Sequence, residues 1–220
     1  MNQSLNVAVV TGSHPHEVIP FQNLFETLKH IKPFIQHMED FVSSPQDIRF
    51  FYDAVVFYHF HMATPTGEEP GWCEKNTKSA LEELGDTKQG ILILHHALLA
   101  FPEWDYWTKV TGLSQRKHFG YFPNEKLKVL VSDIDHPITQ GMSSWEMIEE
   151  TYTIDGSPDN NSNVLLRAEN PKSMASIGWT RQHAFSRVFC LQLGHDNQAW
   201  SHPNFIRVLE RGIHWLAGRL

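Results

Sequence analysis

Four separate apolar runs in this chain are followed closely by histidine, and this pattern limits the fold more than any other feature of the sequence. The runs are VAVVTGSHPH at 7–16, AVVFYHFH at 54–61, GILILHH at 90–96 and VFCLQLGHD at 188–196. Short runs rich in Val, Ile, Leu and Phe are typical of buried parallel strands. Because open α/β sheets bind ligands beyond the carboxyl ends of such strands, we expect one imidazole-lined site at an edge of a sheet.

The remaining elements alternate in a way that predicts the architecture. The alternation of strands and amphipathic helices favours a doubly wound, flavodoxin-like α/β fold, with a mostly parallel sheet and helices on both faces. The predicted strands are 5–11, 35–38, 53–60, 90–94, 128–133 and 187–193, the predicted helices are 20–30, 74–84 and 203–216, and an antiparallel extension is expected at 164–168 and 175–179.

Length, charge and apolar content narrow the class of protein. No linker, charge block or repeat divides the 220 residues, so we expect a single domain over 1–220. A net charge of −7 and a pI near 6.0 provide no basic surface for nucleic acid or an anionic membrane, and they favour a neutral, polar or cationic ligand. No apolar segment approaches the roughly 20 residues that span a bilayer. With no secretory signal at the N-terminus either, we expect a cytoplasmic protein.

The two cysteines do not have the setting of nucleophiles. Cys190 lies inside the run VFCLQL, where a small buried side chain is expected, and Cys73 lies in a loop that contains Gly and Pro. A disulfide framework and thiol chemistry are therefore the least favoured interpretations.

Two histidines stand out by topology. His95 falls where a buried strand turns into a following helix, a turn that holds the nucleophile in α/β hydrolytic folds. We favour His95 over its neighbour His96 for the position that faces the cleft. His195 ends the last strong strand, where Gly194 allows a close approach or a positive φ and Asp196 could orient the imidazole.

Beyond the strand ends, a series of motifs resembles the ThuA-like (trehalose-utilisation) family over nearly the whole chain, weakly before Asp53 and strongly after Gly90. The matching residues, in the family's order, are Gly90–His95, Trp104, Gly112, His118, Asp135–Thr139, Gly141, Glu149–Tyr152, Trp179, Arg187–Phe189, Leu193–Asp196, Trp200 and Arg211–Trp215. The doubled His95-His96 departs from the family pattern, and so do His59 and His61, to which we assign no role.

The resemblance implies a fold like that of the class I glutamine amidotransferases, with His95 at the usual cysteine position. Amidotransfer is then not expected, because imidazole cannot simply replace a thiolate nucleophile. The resemblance also implies a carbohydrate or keto-sugar as the partner, with trehalose-type disaccharide derivatives as the natural class. It further marks His16 after the first strand, and the acidic-x-Tyr element of Glu150 and Tyr152.

Two chemistries could use these residues. In the first, a divalent metal such as zinc is bound by His16, His95 and His195, with Glu150. In the second, no metal is needed, and the general acid and base are drawn from His95, His195 and Glu150. Trp104, Tyr152, His118 and Trp200 are the candidate substrate-binding residues. We expect no nucleotide cofactor, and a homo-oligomer is left open.

The predicted activity is isomerisation, hydrolysis or elimination on a sugar or keto-sugar. The alternative is a non-catalytic sugar-binding or regulatory protein that keeps an amidotransferase-like fold.

Overall fold

One nine-stranded sheet runs through the chain. The computed structural model of the protein describes residues 4–71 and 74–220. The strand order across the sheet is β2-β1-β3-β4-β9-β8-β7-β5-β6. The strands are β1 Leu5–Gly12, β2 Ile31–His37, β3 Ala54–His59, β4 Gly90–Leu94, β5 Phe119–Val131, β6 Trp145–Ile154, β7 Asn163–Glu169, β8 Ser176–His183 and β9 Ser186–Leu191.

Seven α-helices lie in the described part of the chain. They are α1 Val18–Thr27, α2 Met38–Ser43, α3 Gln46–Arg49, α4 Thr77–Glu82, α5 Asp105–Thr111, α6 Asn197–Trp200 and α7 Pro203–Leu216. Two short 3-10 turns at Glu74–Asn76 and His95–Leu98 complete the set. In the described ranges, no helix is both long and apolar enough to cross a membrane.

Five strands form a parallel half, in which β1, β2, β3, β4 and β9 pair side by side. Every residue of β3 and β4 is buried, as expected where helices cover both faces of a sheet. The ring of Phe57 packs against Phe41 of α2 and Trp107 of α5, whereas the next residue, Tyr58, packs against Phe21 of α1. Since successive strand residues point to opposite faces, the helices flank this half on both sides.

The prediction of a mostly parallel, doubly wound, flavodoxin-like sheet is wrong. Four of the eight neighbouring strand pairs, those joining β9, β8, β7, β5 and β6, are antiparallel, and the two longest strands belong to this half. The antiparallel extension at 164–168 and 175–179 was predicted, but β6 was missed and β5 was predicted only from residue 128. The sheet is mixed because a long antiparallel arm continues from β9.

The reason for this error lies in the sequence of the arm. Pro123 and Asn124 interrupt β5 and look like a turn, but the β5–β6 register shifts between Phe122 and Glu125. A bulge at this point lets a proline stay inside a paired strand, because the extra residue needs no ladder hydrogen bond. Neither β5 nor β6 is buried continuously, so neither contains a long apolar run.

Candidate active site

The site is built around the end of β4, where the chain turns sharply at His95. His95 is fully buried and adopts a positive φ of 53°, a conformation that non-glycine residues keep only where the surroundings hold it. Its Nδ1 lies 2.6 Å from the carbonyl oxygen of Gln192, just beyond β9. A carbonyl only accepts, so Nδ1 carries the proton and the Nε2 lone pair faces the site.

A carboxylate from the antiparallel arm lies between two imidazoles. Glu150 of β6 has its Oε1 3.6 Å from His95 Nε2 and its Oε2 3.7 Å from His195 Nε2. The three residues offer one ligand atom each within 4.8 Å of one another, the one such group of three or more ligating side chains in residues 4–71 and 74–220. His195 Nδ1 lies 3.7 Å from Asp196 Oδ2, so the predicted His195-Asp196 contact is present.

Burial and neighbouring charges set the ionisation of this group. Burial lowers the pKa of His95, although the adjacent Glu150 and the Gln192 carbonyl act to raise it. Burial by itself raises the pKa of Glu150, but interactions with His95 and His195 outweigh it, and the net pKa is below the ordinary value for glutamate. At neutral pH the site therefore combines a neutral His95 with an ionised carboxylate.

Tyr152 completes the inner face. Its hydroxyl donates to His95 Nε2 at 2.5 Å, and its ring is 3% exposed. Burial, followed by the charge of Glu150, raises the pKa of this phenol well above its usual value. Tyr152 therefore stays protonated and can donate either to His95 or to a bound ligand.

Glu149 holds the arm against the parallel half. Its carboxylate accepts the backbone N–H of Gly194 at 2.7 Å and that of His195 at 3.1 Å. Gly194 has a φ of 111°, which confirms the backbone freedom predicted there. On the other side, the Tyr58 hydroxyl donates to the His195 carbonyl oxygen at 2.7 Å. These contacts fix the position of His195 relative to Glu150.

A cavity of about 390 Å³ opens beside these residues. Its wall combines polar and aromatic side chains, which are His14, Phe60, His96, Phe119, Tyr121, Glu150 and Tyr152. His14 stacks on His96 with ring centroids 4.3 Å apart, and its centroid lies 5.9 Å from that of His195. The volume of the cavity lies near the lower end of the roughly 300–1,000 Å³ range of small-molecule sites.

The structure separates the predicted site residues into two sets. It brings together His95, His195, Glu150 and Tyr152. The His16 ring packs on Phe21 and Tyr58 instead and does not join the group of ligating side chains.

The three remaining candidates lie away from the cavity wall. Trp104 packs on Phe101 and Tyr106. Trp200 is 2% exposed and donates its indole N–H to the Gly194 carbonyl. His118 lies on a shallower neighbouring depression.

Sequence reasoning missed Glu149, His14 and the wall position of His96. Glu149 lies within a motif that we matched to the family, but its burial follows from β6 being a strand, which was not predicted. The resemblance marks His16 after the first strand, but the structure places His14 on the cavity wall instead. The sequence signal for His14 is its position in the loop after the first strand, two residues before His16.

Cys190 is buried, and burial raises the pKa of its thiol. Its sulfur lies 3.6 Å from the Thr111 carbonyl oxygen, and it does not line the cavity. Cys73 lies outside the described residues.

The fold and site define an α/β protein with a histidine- and carboxylate-lined cavity at the carboxyl edge of the parallel strands. The chain belongs to the ThuA family, described as trehalose utilisation, which matches residues 6–216. A search of curated proteins produced no match.

Solved structures of similar fold come from several bacteria. A ThuA-like protein from Parabacteroides merdae is 18% identical, with a TM-score of 0.77 over 98% of this chain and 90% of that one. A ThuA-like protein from Bacteroides uniformis is 17% identical, with a TM-score of 0.74 over 98% and 93%. A cytoplasmic protein from Salmonella typhimurium is 10% identical, with a TM-score of 0.71 over 96% and 99%. At these identities the similarity shows the fold alone.

Proposed function

We propose that this protein is an enzyme that moves protons on a sugar carrying a carbonyl group, in the cytoplasm. The observation that carries the proposal is the Glu150 carboxylate between His95 and His195, at the wall of a cavity. Proton abstraction beside a carbonyl needs a base on one side and a proton donor near the carbonyl oxygen. Isomerisation and elimination both begin with that step, and the geometry therefore favours them over hydrolysis.

The roles follow from the position and chemistry of each group. Glu150 is ionised at neutral pH and takes the proton from the carbon next to the carbonyl. His195, with about a quarter of its side chain exposed, gives a proton to the carbonyl oxygen, so that an enediol forms with charge balanced. Neutral His95 accepts the Tyr152 hydroxyl through its Nε2 lone pair, and that hydroxyl can turn to donate to the substrate oxygen. Glu150 then gives its proton to the former carbonyl carbon while the hydroxyl on the neighbouring carbon gives its proton to His195, which completes an isomerisation and returns both groups to their starting states.

The same residues have the donor chemistry of a divalent metal site. Two imidazoles and one carboxylate are ligands that zinc and related ions accept, and the contact between His95 Nδ1 and the Gln192 carbonyl is of the kind that orients metal-binding histidines. His95, Glu150 and His195 would hold the ion, without His16. A bound ion would supply Lewis-acid polarisation of the carbonyl.

The lining supports a carbohydrate as substrate. Phe60, Phe119 and Tyr121 provide aromatic surfaces for the apolar faces of sugar rings, and His14, His96 and Glu150 provide polar contacts for hydroxyl groups. The family description, trehalose utilisation, points to the same class of ligand. The Salmonella relative described as cytoplasmic supports the proposed location.

The test is hydrogen exchange in D₂O. Purified protein is incubated with keto-derivatives of trehalose and related disaccharides, and deuterium incorporation next to the carbonyl is followed by NMR. Glu150→Gln is expected to slow exchange by roughly 10²–10⁴-fold. Glu146→Gln, an exposed position on the same strand, is the matched control and keeps the full rate.

Equal exchange in the two variants would refute the role of Glu150. Saturable sugar binding by calorimetry, without exchange in the wild type, would favour the alternative of a non-catalytic sugar-binding protein. Elemental analysis of the same protein sample reports whether a divalent metal accompanies the activity.

A further inference from the structure

A second group of imidazoles lies at the carboxyl edge of the parallel strands, next to Phe60 but pointing away from the cavity. His59 ends β3, His61 follows it two residues later, and His37 ends β2. Because strand side chains alternate, His59 and His61 share one side while Phe60 faces the cavity. The ring centroids of His59 and His61 are 5.2 Å apart, and those of His37 and His61 are 6.3 Å apart.

The His59–His61 pair has an unusual arrangement of lone pairs. The two Nδ1 atoms lie 3.2 Å apart, and the backbone N–H of His61 points at the same His59 nitrogen from 3.5 Å. This favours the tautomer of His59 with its proton on Nε2. That nitrogen is fully buried and has no hydrogen-bond partner, and the ring contacts Phe101 and Trp107.

The two nitrogens are separated by the distance that a tetrahedral ion requires. At zinc–nitrogen distances of about 2.0–2.1 Å, two imidazole ligands lie roughly 3.3–3.4 Å apart. We propose that His59 and His61 form a second site for a divalent transition metal such as zinc, distinct from the His95–Glu150–His195 group. The observed separation of 3.2 Å is close to this value, and a bound ion would replace the hydrogen bond between the two nitrogens.

Further observations fit a site that is open on one side. The Nδ1 atom of His37 accepts the backbone N–H of Glu39 at 3.4 Å. Its Nε2 faces Gly12, where an added Cβ would lie 2.8 Å from that nitrogen and 2.9 Å from His61 Cε1. Gly12 thus allows both rings to approach, and solvent or a shifted His37 can complete the ligand set.

The site also has a link to the cavity. Phe60 lies between the two ligands in sequence and forms part of the cavity wall. An ion held by His59 and His61 would fix the backbone on both sides of this ring.

The test measures zinc binding in a background that lacks the first group of ligands, Glu150→Gln with His195→Asn. Equilibrium dialysis at ~100 µM free zinc is expected to give about one ion per chain, and cobalt in its place is expected to give the visible absorption of a tetrahedral site. Adding His61→Ala or His59→Phe should weaken binding by at least about tenfold. His59→Phe keeps aromatic packing with Phe101 and Trp107, so it tests the site even if His61→Ala fails to fold.

The control variant is His214→Ala in the same background. His214 lies near the end of α7, where Leu216 packs on Gly90 at the opposite edge of the sheet, and zinc binding should not change. The proposal is overturned if the background protein binds no zinc at this concentration, or if His61→Ala and His59→Phe both bind it unchanged. Since Glu150 and His195 are already absent, neither result depends on the catalytic role proposed for them.

Discussion

Replacing Glu149 with glutamine is expected to change how the stability of this protein depends on pH. Glu149 is 2% exposed. Burial raises its pKa to about 8, although the backbone N–H groups of Gly194, His195 and Glu150 act in the opposite direction. A glutamate in an unfolded chain titrates near 4.5. The folded protein therefore keeps a proton that the unfolded chain releases between these two pH values.

The sign and size of the effect follow from linkage. The stability contributed by this proton is fully present below about pH 4.5 and is lost as the pH rises through 8. At about 1.4 kcal/mol per pH unit, the wild type should lose roughly 4 kcal/mol relative to Glu149→Gln between about pH 5 and pH 9. The many histidines of the chain also titrate in this range, but they contribute equally to both proteins and cancel in the difference.

The assay is urea unfolding of both proteins at several pH values, with the difference in unfolding free energy plotted against pH. Glu146→Gln on the same strand is exposed, and its carboxylate pairs with Lys126. Its difference curve is expected to stay flat over the same pH range. A flat curve for Glu149→Gln would mean that the carboxylate is ionised throughout, so that the three N–H donors outweigh burial, and it would refute the reasoning.

Two further predictions concern buried polar side chains. His96 has no hydrogen-bond partner on either ring nitrogen, and burial holds its pKa well below the ordinary value. His96→Phe should therefore add about 2 kcal/mol more stability at pH 5 than at pH 8 in urea melts, because the unfolded histidine gains a proton below about 6.5. An equal difference at both pH values would contradict this. Arg116 is 1% exposed, and its guanidinium donates to the carbonyls of Leu98 and Ala100. Arg116→Met should lower the free energy of unfolding by about 2–4 kcal/mol in the same assay. Leaving the two carbonyls without a donor costs more than is gained by no longer burying a cation. A loss below about 1 kcal/mol would show that the two terms cancel.

Local pattern was enough to predict four of the five parallel strands, whereas β2 was expected at 35–38 and is Ile31–His37. The run at 90–94 is β4 as predicted, and the helix predicted at 203–216 is α7, whose buried face carries Phe205, Val208, Leu209, Ile213 and Leu216. Both segments carry a strong periodic signal, because continuous apolar runs and helical spacing reflect complete burial or one buried face. The helix predicted at 74–84 is shorter, beginning as a 3-10 turn and continuing as Thr77–Glu82.

The antiparallel arm could not be predicted in the same way. Strand β6 reads WEMIEETYTI, which places two adjacent glutamates in a segment that otherwise alternates. Taken alone, Glu149 and Glu150 indicate an exposed loop. Their burial depends on contacts with Gly194, His195 and His95, which are distant in sequence. Tertiary contacts of this kind leave no local periodicity.

The sequence by itself determined that histidines follow the buried strands of this ThuA-family protein, and that His95 and His195 lie at strand ends. Only the tertiary structure decided which side chains meet there. Strand β6 brings Glu150 and Tyr152 to His95, whereas His16 packs on Phe21, and His59 and His61 form a group of their own. The physical reason is that a strand end fixes the edge at which a side chain emerges. Its neighbours there depend on strand order and on the bulge that keeps β5 paired with β6.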